Sequence, residues 1–232
     1  MPGMPEWVDL AVLVLTGLFT LANWIAIWRG KLKAYYITKP LVLLGLIFYF
    51  LLQGACNPTR LPFLVGLIFS LLGDIFLIPQ STRWFMLGVG AFGMAHLSYI
   101  VGFNASLPPV PYLIIGLVAV LAGIVVMYMT IDRFAVSSEV NKKLLPFFKA
   151  YGIVVLAMAI SALLCLARPG WSDQSAVLAG IGGILFFISD AMIGLEKLNR
   201  RLPKYKFWII VTYHLGQFLI VAAVLLLPVS VF

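Results

Sequence analysis

The chain has 232 residues, 63% of them hydrophobic and 10% charged, with a formal net charge of +8 and a mean hydropathy of +1.09. A soluble domain is roughly half apolar and a quarter charged, so this composition excludes one and describes an integral membrane protein. The apolar runs are continuous, which excludes a transmembrane β-barrel with its short alternating segments.

A helix needs about 20 apolar residues to cross the hydrocarbon. The sequence predicts an all-α fold, a single transmembrane domain over residues 1–232. Its eight spans lie at approximately 7–28, 36–53, 61–79, 84–103, 110–131, 145–167, 174–195 and 207–228. Connections are short, so neighbouring helices should pack antiparallel. No Lys or Arg precedes the first span, and it is too long for a signal-peptide core. That span carries Thr16, Thr20 and Asn23 at i, i+4 and i+7, a stripe suited either to lining a cavity or to bonding a neighbouring helix. Span two opens on TKPL, with Lys39 at its start and Pro40 in its first turn, where proline is tolerated. Span three ends in GLIFSLLGD, with Asp74 near its end, and span four carries His96 and Tyr99. Span seven has the small-residue rows Ala176/Gly180 and Ala179/Gly183, a sign of close helix packing, and ends in GGILFFISD with Asp190. Span eight carries Tyr213, His214 and Gln217.

The basic residues are distributed unevenly. Arg29, Lys31, Lys33, Lys39, Arg83, Arg133, Lys142, Lys143, Lys149, Lys197, Arg200, Arg201, Lys204 and Lys206 fall on one side of the predicted topology, and only Arg60 and Arg168 on the other. The positive-inside rule makes the first side cytoplasmic and turns both termini outward. Loop charge so placed needs no nucleic-acid partner, though it would attract anionic lipid headgroups. The two cysteines, Cys56 and Cys165, both fall toward the outer side. A disulfide there is conceivable. Without CxxC spacing they do not make a metal site.

An ionised carboxylate inside the hydrocarbon costs roughly 2.5–3.5 kcal/mol on insertion scales, so Asp74 and Asp190 are the first candidates for chemistry. Aligning them also superposes Gly66 on Gly182 and Ile68 on Ile184. Each is followed by a helix bearing a histidine, His96 or His214, and three residues later a polar group, Tyr99 or Gln217. Positions i and i+3 share a helix face. This weak repeat suggests two parallel four-helix halves. Counted from the predicted span ends, both aspartates lie roughly 8 Å inside the cytoplasmic end, with His214 at similar depth, His96 deeper and Lys39 at the inner level. The expected site gathers Lys39, Asp74, His96, Tyr99, Asp190, Tyr213, His214 and Gln217 in the cytoplasmic half of the bundle. Blander readings stand beside this. An intramembrane aspartate can simply pair with a lysine, Lys39 can snorkel to the interface, and a helical histidine is often a packing residue. GxSxG, HExxH and P-loop motifs are absent. Two Asp and two His could hold one ion, but the reading assigns neither metal nor cofactor.

TKPL at 38–41, LLGDIFL at 71–77, FGMAHLSY at 92–99, FFISDAMI at 186–193 and YHLGQFLI at 213–220 together resemble the YhhN family, which includes lysoplasmalogenases. The pieces run from span two to span eight. The resemblance implies a multi-pass hydrolase that acts on a lysophospholipid, cleaving a vinyl ether to a fatty aldehyde and a glycerophospho-headgroup. Asp74 and Asp190 fall on the two family aspartates and would be the catalytic pair. A vinyl ether is labile to acid, so the task asks for one protonated acid and one ionised group, which two carboxyls in a low-dielectric pocket provide. The residues do not say which is which. His214 would orient or shuttle a proton, and Lys39 with the basic loops could hold the phosphate. The substrate would enter from the cytoplasmic leaflet, in a bacterium that of the inner membrane. The alternative is a small proton-coupled transporter, since intramembrane Asp and His also form proton relays and repeated halves suit alternating access.

Overall fold

The computed structural model describes residues 5–79, 81–135, 145–197 and 203–227. Lys142, Lys143, Arg200 and Arg201, assigned above to the basic side, lie outside them. The regular structure of the described residues is all helical, in eight helices: α1 (Glu6–Trp28), α2 (Leu32–Leu52), α3 (Leu61–Phe76), α4 (Thr82–Phe103), α5 (Val110–Ala135), α6 (Leu145–Leu163), α7 (Asp173–Lys197) and α8 (Tyr205–Leu225), with a short 3-10 turn after α6 at Leu164–Ala167. Seven are long and apolar enough to cross a membrane by length and composition, and the chain is a multi-pass membrane protein.

The exception is α3. The predicted span 61–79 is a helix of 16 residues that stops at Phe76. Sixteen residues rise about 24 Å, less than the ~30 Å hydrocarbon core. Pro79 disfavours helical geometry at Ile78, so the apolar run continues where the helix does not. In the other direction α2 begins at Leu32, which places Pro40 inside the helix rather than in its first turn. Proline there cannot donate to the carbonyl of Tyr36.

The chain forms two compact units that divide at Gly102 and Phe103. In the first, α1 and α2 run antiparallel. Gln53 Nε2 donates to Asp9 Oδ2 at 2.9 Å at one end, and Asn23 Nδ2 donates to Thr38 Oγ1 at 2.8 Å and to the Tyr35 carbonyl at 3.0 Å at the other. Midway, Thr16 fills the space a Cβ on Gly45 would need. Within the polar stripe Thr16 and Thr20 bond carbonyls of their own helix, and Asn23 makes the hydrogen bond across to α2. On α3 and α4, Gly66 receives the Tyr99 ring, Gly73 meets Phe92, and Phe63 meets Gly102.

In the second unit α5 and α6 are antiparallel, with Lys149 Nζ 2.6 Å from Asp132 Oδ1 and 4.5 Å from the Tyr128 ring centroid. Gly183 of α7 lies on Ala159 and Ala162 of α6, the close approach the small-residue row predicts. Gly182 faces Gly216 and Ile220 of α8, and a Cβ there would stand 3.0 Å from the Gly216 carbonyl. A Gly182→Val variant is therefore expected to lose about 1–3 kcal/mol of stability by overpacking. Gly194→Val, where a Cβ meets nothing within 4 Å, should leave it nearly unchanged. Thermal unfolding in detergent checks both.

Arg60 and Arg168, the two basic residues that the sequence expectation sets apart, are both buried and bonded to carbonyls at helix C-terminal ends. Arg60 donates to the Gln53 carbonyl; Arg168 donates to the Phe103 carbonyl and to Asn104. Burial lowers both guanidinium pKa values, and the carbonyl bonds offset that penalty by favouring the charged form. Asn104 passes the link on to Ser161 Oγ at 2.9 Å. Cys56 and Cys165 are free thiols, so the conceivable disulfide is not formed.

Candidate active site

Asp74 is fully buried on α3, two residues before the last helical residue. Lys39, on the antiparallel α2, places its Nζ 3.0 Å from Asp74 Oδ1. An ion pair taken out of water holds only when geometry and further hydrogen bonds repay desolvation. The surrounding turn of α2 is fixed: Asn23 bonds the Thr38 hydroxyl and the Tyr35 carbonyl, and the Tyr35 phenol lies within electrostatic reach of Lys39 and Asp74. Lys39 neither snorkels nor faces the loops; it turns inward to the carboxylate.

Asp190 is buried on α7. The Tyr151 hydroxyl of α6 donates to its Oδ2 at 2.9 Å. The residue before it, Ser189, bonds the Ile209 carbonyl of α8 at 3.0 Å. One turn earlier, Phe186 packs edge-on against Tyr213, with ring centroids 5.3 Å apart. Asp190 stands seven residues before the end of α7, whereas Asp74 stands two before the end of α3. The equal depth counted from predicted span ends thus does not carry over to the helix ends. Proline stops α3, while α7 runs on into the polar Glu196 and Lys197, where Tyr205 bonds Glu196 at 3.0 Å.

The remaining candidates are buried: His96 and Tyr99 in the first unit, Tyr213, His214 and Gln217 in the second. Tyr99 is stacked on Phe63, with centroids 6.0 Å apart. The pairings of Gly66 with Tyr99 and Gly73 with Phe92 set His96 opposite Phe69. That is about five residues, or roughly 7 Å of rise, from the level of Asp74. In the second unit, Gly182 opposite Gly216, Phe186 against Tyr213 and Ser189 on Ile209 set His214 level with Leu185. Its offset from Asp190 is again about five residues. His214 is therefore not at the depth of Asp190; each histidine is displaced the same way from its unit's aspartate, toward the N-terminal end of the aspartate's helix. Among the described residues no three His, Cys, Asp or Glu gather as they would around a metal ion.

Tyr151 was not among the sequence candidates, because a tyrosine in an apolar run reads as packing. One signal was present. Tyr151 lies 39 residues before Asp190, and Tyr35 stands at the same distance before Asp74.

Comparison with known proteins bears on these residues. The chain is 27% identical over 168 residues to a bovine protein named lysoplasmalogenase TMEM86A, a match covering 71% of this chain and 65% of the relative. It is 31% identical to the human lysoplasmalogenase TMEM86A with the same coverage. It is 26% identical over 215 residues to the membrane protein YhhN of Escherichia coli O157:H7, covering 89% of this chain and 96% of that one. The chain thus spans 65% of the length of the lysoplasmalogenases it matches. No solved structure matches it. The model of the YhhN family matches residues 34–224, from the first turn of α2 to the end of α8 and so across every candidate residue; the chain belongs to the YhhN family.

Proposed function

We propose that the chain is a membrane-embedded hydrolase that cleaves the vinyl ether bond of lysoplasmalogen-type lysophospholipids, with Asp74 and Asp190 as its catalytic carboxyls. The observation that carries this reading is that each unit buries an aspartate on its third helix against a proton-bearing side chain of its second helix, Lys39 or Tyr151. The names of the bovine and human relatives supply the substrate class.

The chemistry follows from the bond. A carboxyl gives its proton to the β-carbon of the vinyl ether, and the oxygen lone pair closes an oxocarbenium ion. Water adds to that carbon and loses a proton to a carboxylate. The hemiacetal then collapses to aldehyde and alcohol, so one water is consumed and no proton is lost. One carboxyl serves as acid while the other, ionised, stabilises the cation and activates water. Lys39 balances the charge of Asp74 in this scheme, which leaves the phosphate to the exposed basic loops. His96 and His214 are assigned to proton relay, and Tyr99, Tyr213 and Gln217 to substrate contact. No cofactor enters the scheme. We place α3 as an eighth, shorter span, both termini outside, and the catalytic carboxyls toward the cytoplasmic leaflet, which in a bacterium is that of the inner membrane.

Incubating the purified protein with lysoplasmalogen and with an acyl lysophospholipid, side by side, tests the reading by mass spectrometry. Fatty aldehyde from the first is expected. Fatty acid from the second with no aldehyde from the first would contradict it. The like wiring of the two units favours a proton-coupled carrier as the second reading; that reading predicts flux into sealed vesicles without product formation.

A further inference from the structure

We propose that Tyr151 is the positioning residue of Asp190, holding its carboxyl in a fixed orientation for proton transfer; this rests on the hydrolase reading above. The bond from the Tyr151 hydroxyl to Oδ2, at 2.9 Å, joins two helices packed through Gly183, Ala159 and Ala162. The phenol is therefore carried on a scaffold with little freedom to slide. A phenol both donates and accepts, so its bond persists whether the carboxyl carries a proton or not. An ammonium only donates, and it favours the ionised form.

The first unit supplies the second observation. Tyr35 precedes Asp74 by the same interval as Tyr151 precedes Asp190, and it too lies within electrostatic reach of its aspartate. There, one turn further along α2, Lys39 takes the carboxylate. The same step along α6 reaches Val155, a buried aliphatic residue. Two copies of one device thus differ in one donor that touches the carboxyl. Tyr151 gives Asp190 a donor suited to a group that gains and loses its proton, and Lys39 gives Asp74 one suited to a group that stays ionised.

Tyr151→Phe removes the hydroxyl and keeps the ring. The expected result is a fall in kcat of about 10- to 100-fold with KM within about twofold, because the lost contact acts at the chemical step. Adding Tyr151→Phe to Asp190→Asn should cost nothing further. The infrared carboxyl band assigned to Asp190, identified by its loss in Asp190→Asn, should shift in Tyr151→Phe. That last readout does not depend on turnover, so it separates failure of this inference from failure of the hydrolase reading. An unmoved band, or a kcat equal to wild type in an active enzyme, would overturn the positioning role.

Discussion

Asp190→Asn is expected to lower vinyl ether hydrolysis by about 10²- to 10⁴-fold, the usual contribution of a positioned acid or base. The amide keeps the size of the carboxyl and an oxygen that still accepts from Tyr151, whose hydroxyl lies 2.9 Å from Oδ2. Folding should therefore survive, and what is lost is the exchangeable proton. Thermal unfolding within a few degrees of wild type, together with collapse of aldehyde release, is the expected pair of results. Asp74→Asn should be as inactive, but its stability should also fall, because it strips the counter-charge from Lys39. Combining the two variants should be little worse than either alone, since groups acting in one step are not additive. A folded Asp190→Asn protein with wild-type turnover would remove Asp190 from the chemistry.

The second large effect is on stability. Lys39→Met leaves the Asp74 carboxylate, fully buried, without the ammonium 3.0 Å away. Breaking a buried pair by removing one partner costs about 3–5 kcal/mol, whereas replacing both by apolar residues of similar volume is often close to neutral. The double variant Lys39→Met with Asp74→Leu should therefore recover most of the stability that Lys39→Met loses. A double-mutant cycle followed by unfolding in detergent or mixed micelles reads the coupling. Additive losses would mean that the pair contributes nothing as a pair. Both variants should be inactive, so the cycle separates the structural cost of the ion pair from the need for Asp74 in catalysis.

The helices were legible because each apolar run is bounded by charge or by proline. Two of the displaced ends have a plain physical reason. Leu77 and Ile78 are as apolar as the helix before them, and only Pro79 marks the stop; Leu32–Tyr35 is polar at Lys33 yet made of good helix formers, so α2 starts early. That Lys39 stands level with Asp74 was legible, but its choice between interface and carboxylate was not, since a lysine side chain can reach either. The histidines show a different limit. Their separation from the aspartates identifies the neighbouring helix, but axial level depends on where each helix turns back. It follows instead from the Gly182, Phe186 and Ser189 contacts with α8. Tyr151 was out of reach of single-residue reasoning and visible only as an interval shared with Tyr35.

The most direct test of the central claim is the fate of one deuteron. Lysoplasmalogen hydrolysed by the protein in D2O, with the aldehyde trapped at once by borohydride reduction, reports where the catalytic proton goes. The account predicts a long-chain alcohol carrying a single deuterium on the carbon next to the former carbonyl, and none from Asp190→Asn above the uncatalysed background. Product without deuterium at that carbon, or an absence of aldehyde from the wild-type protein, would contradict it.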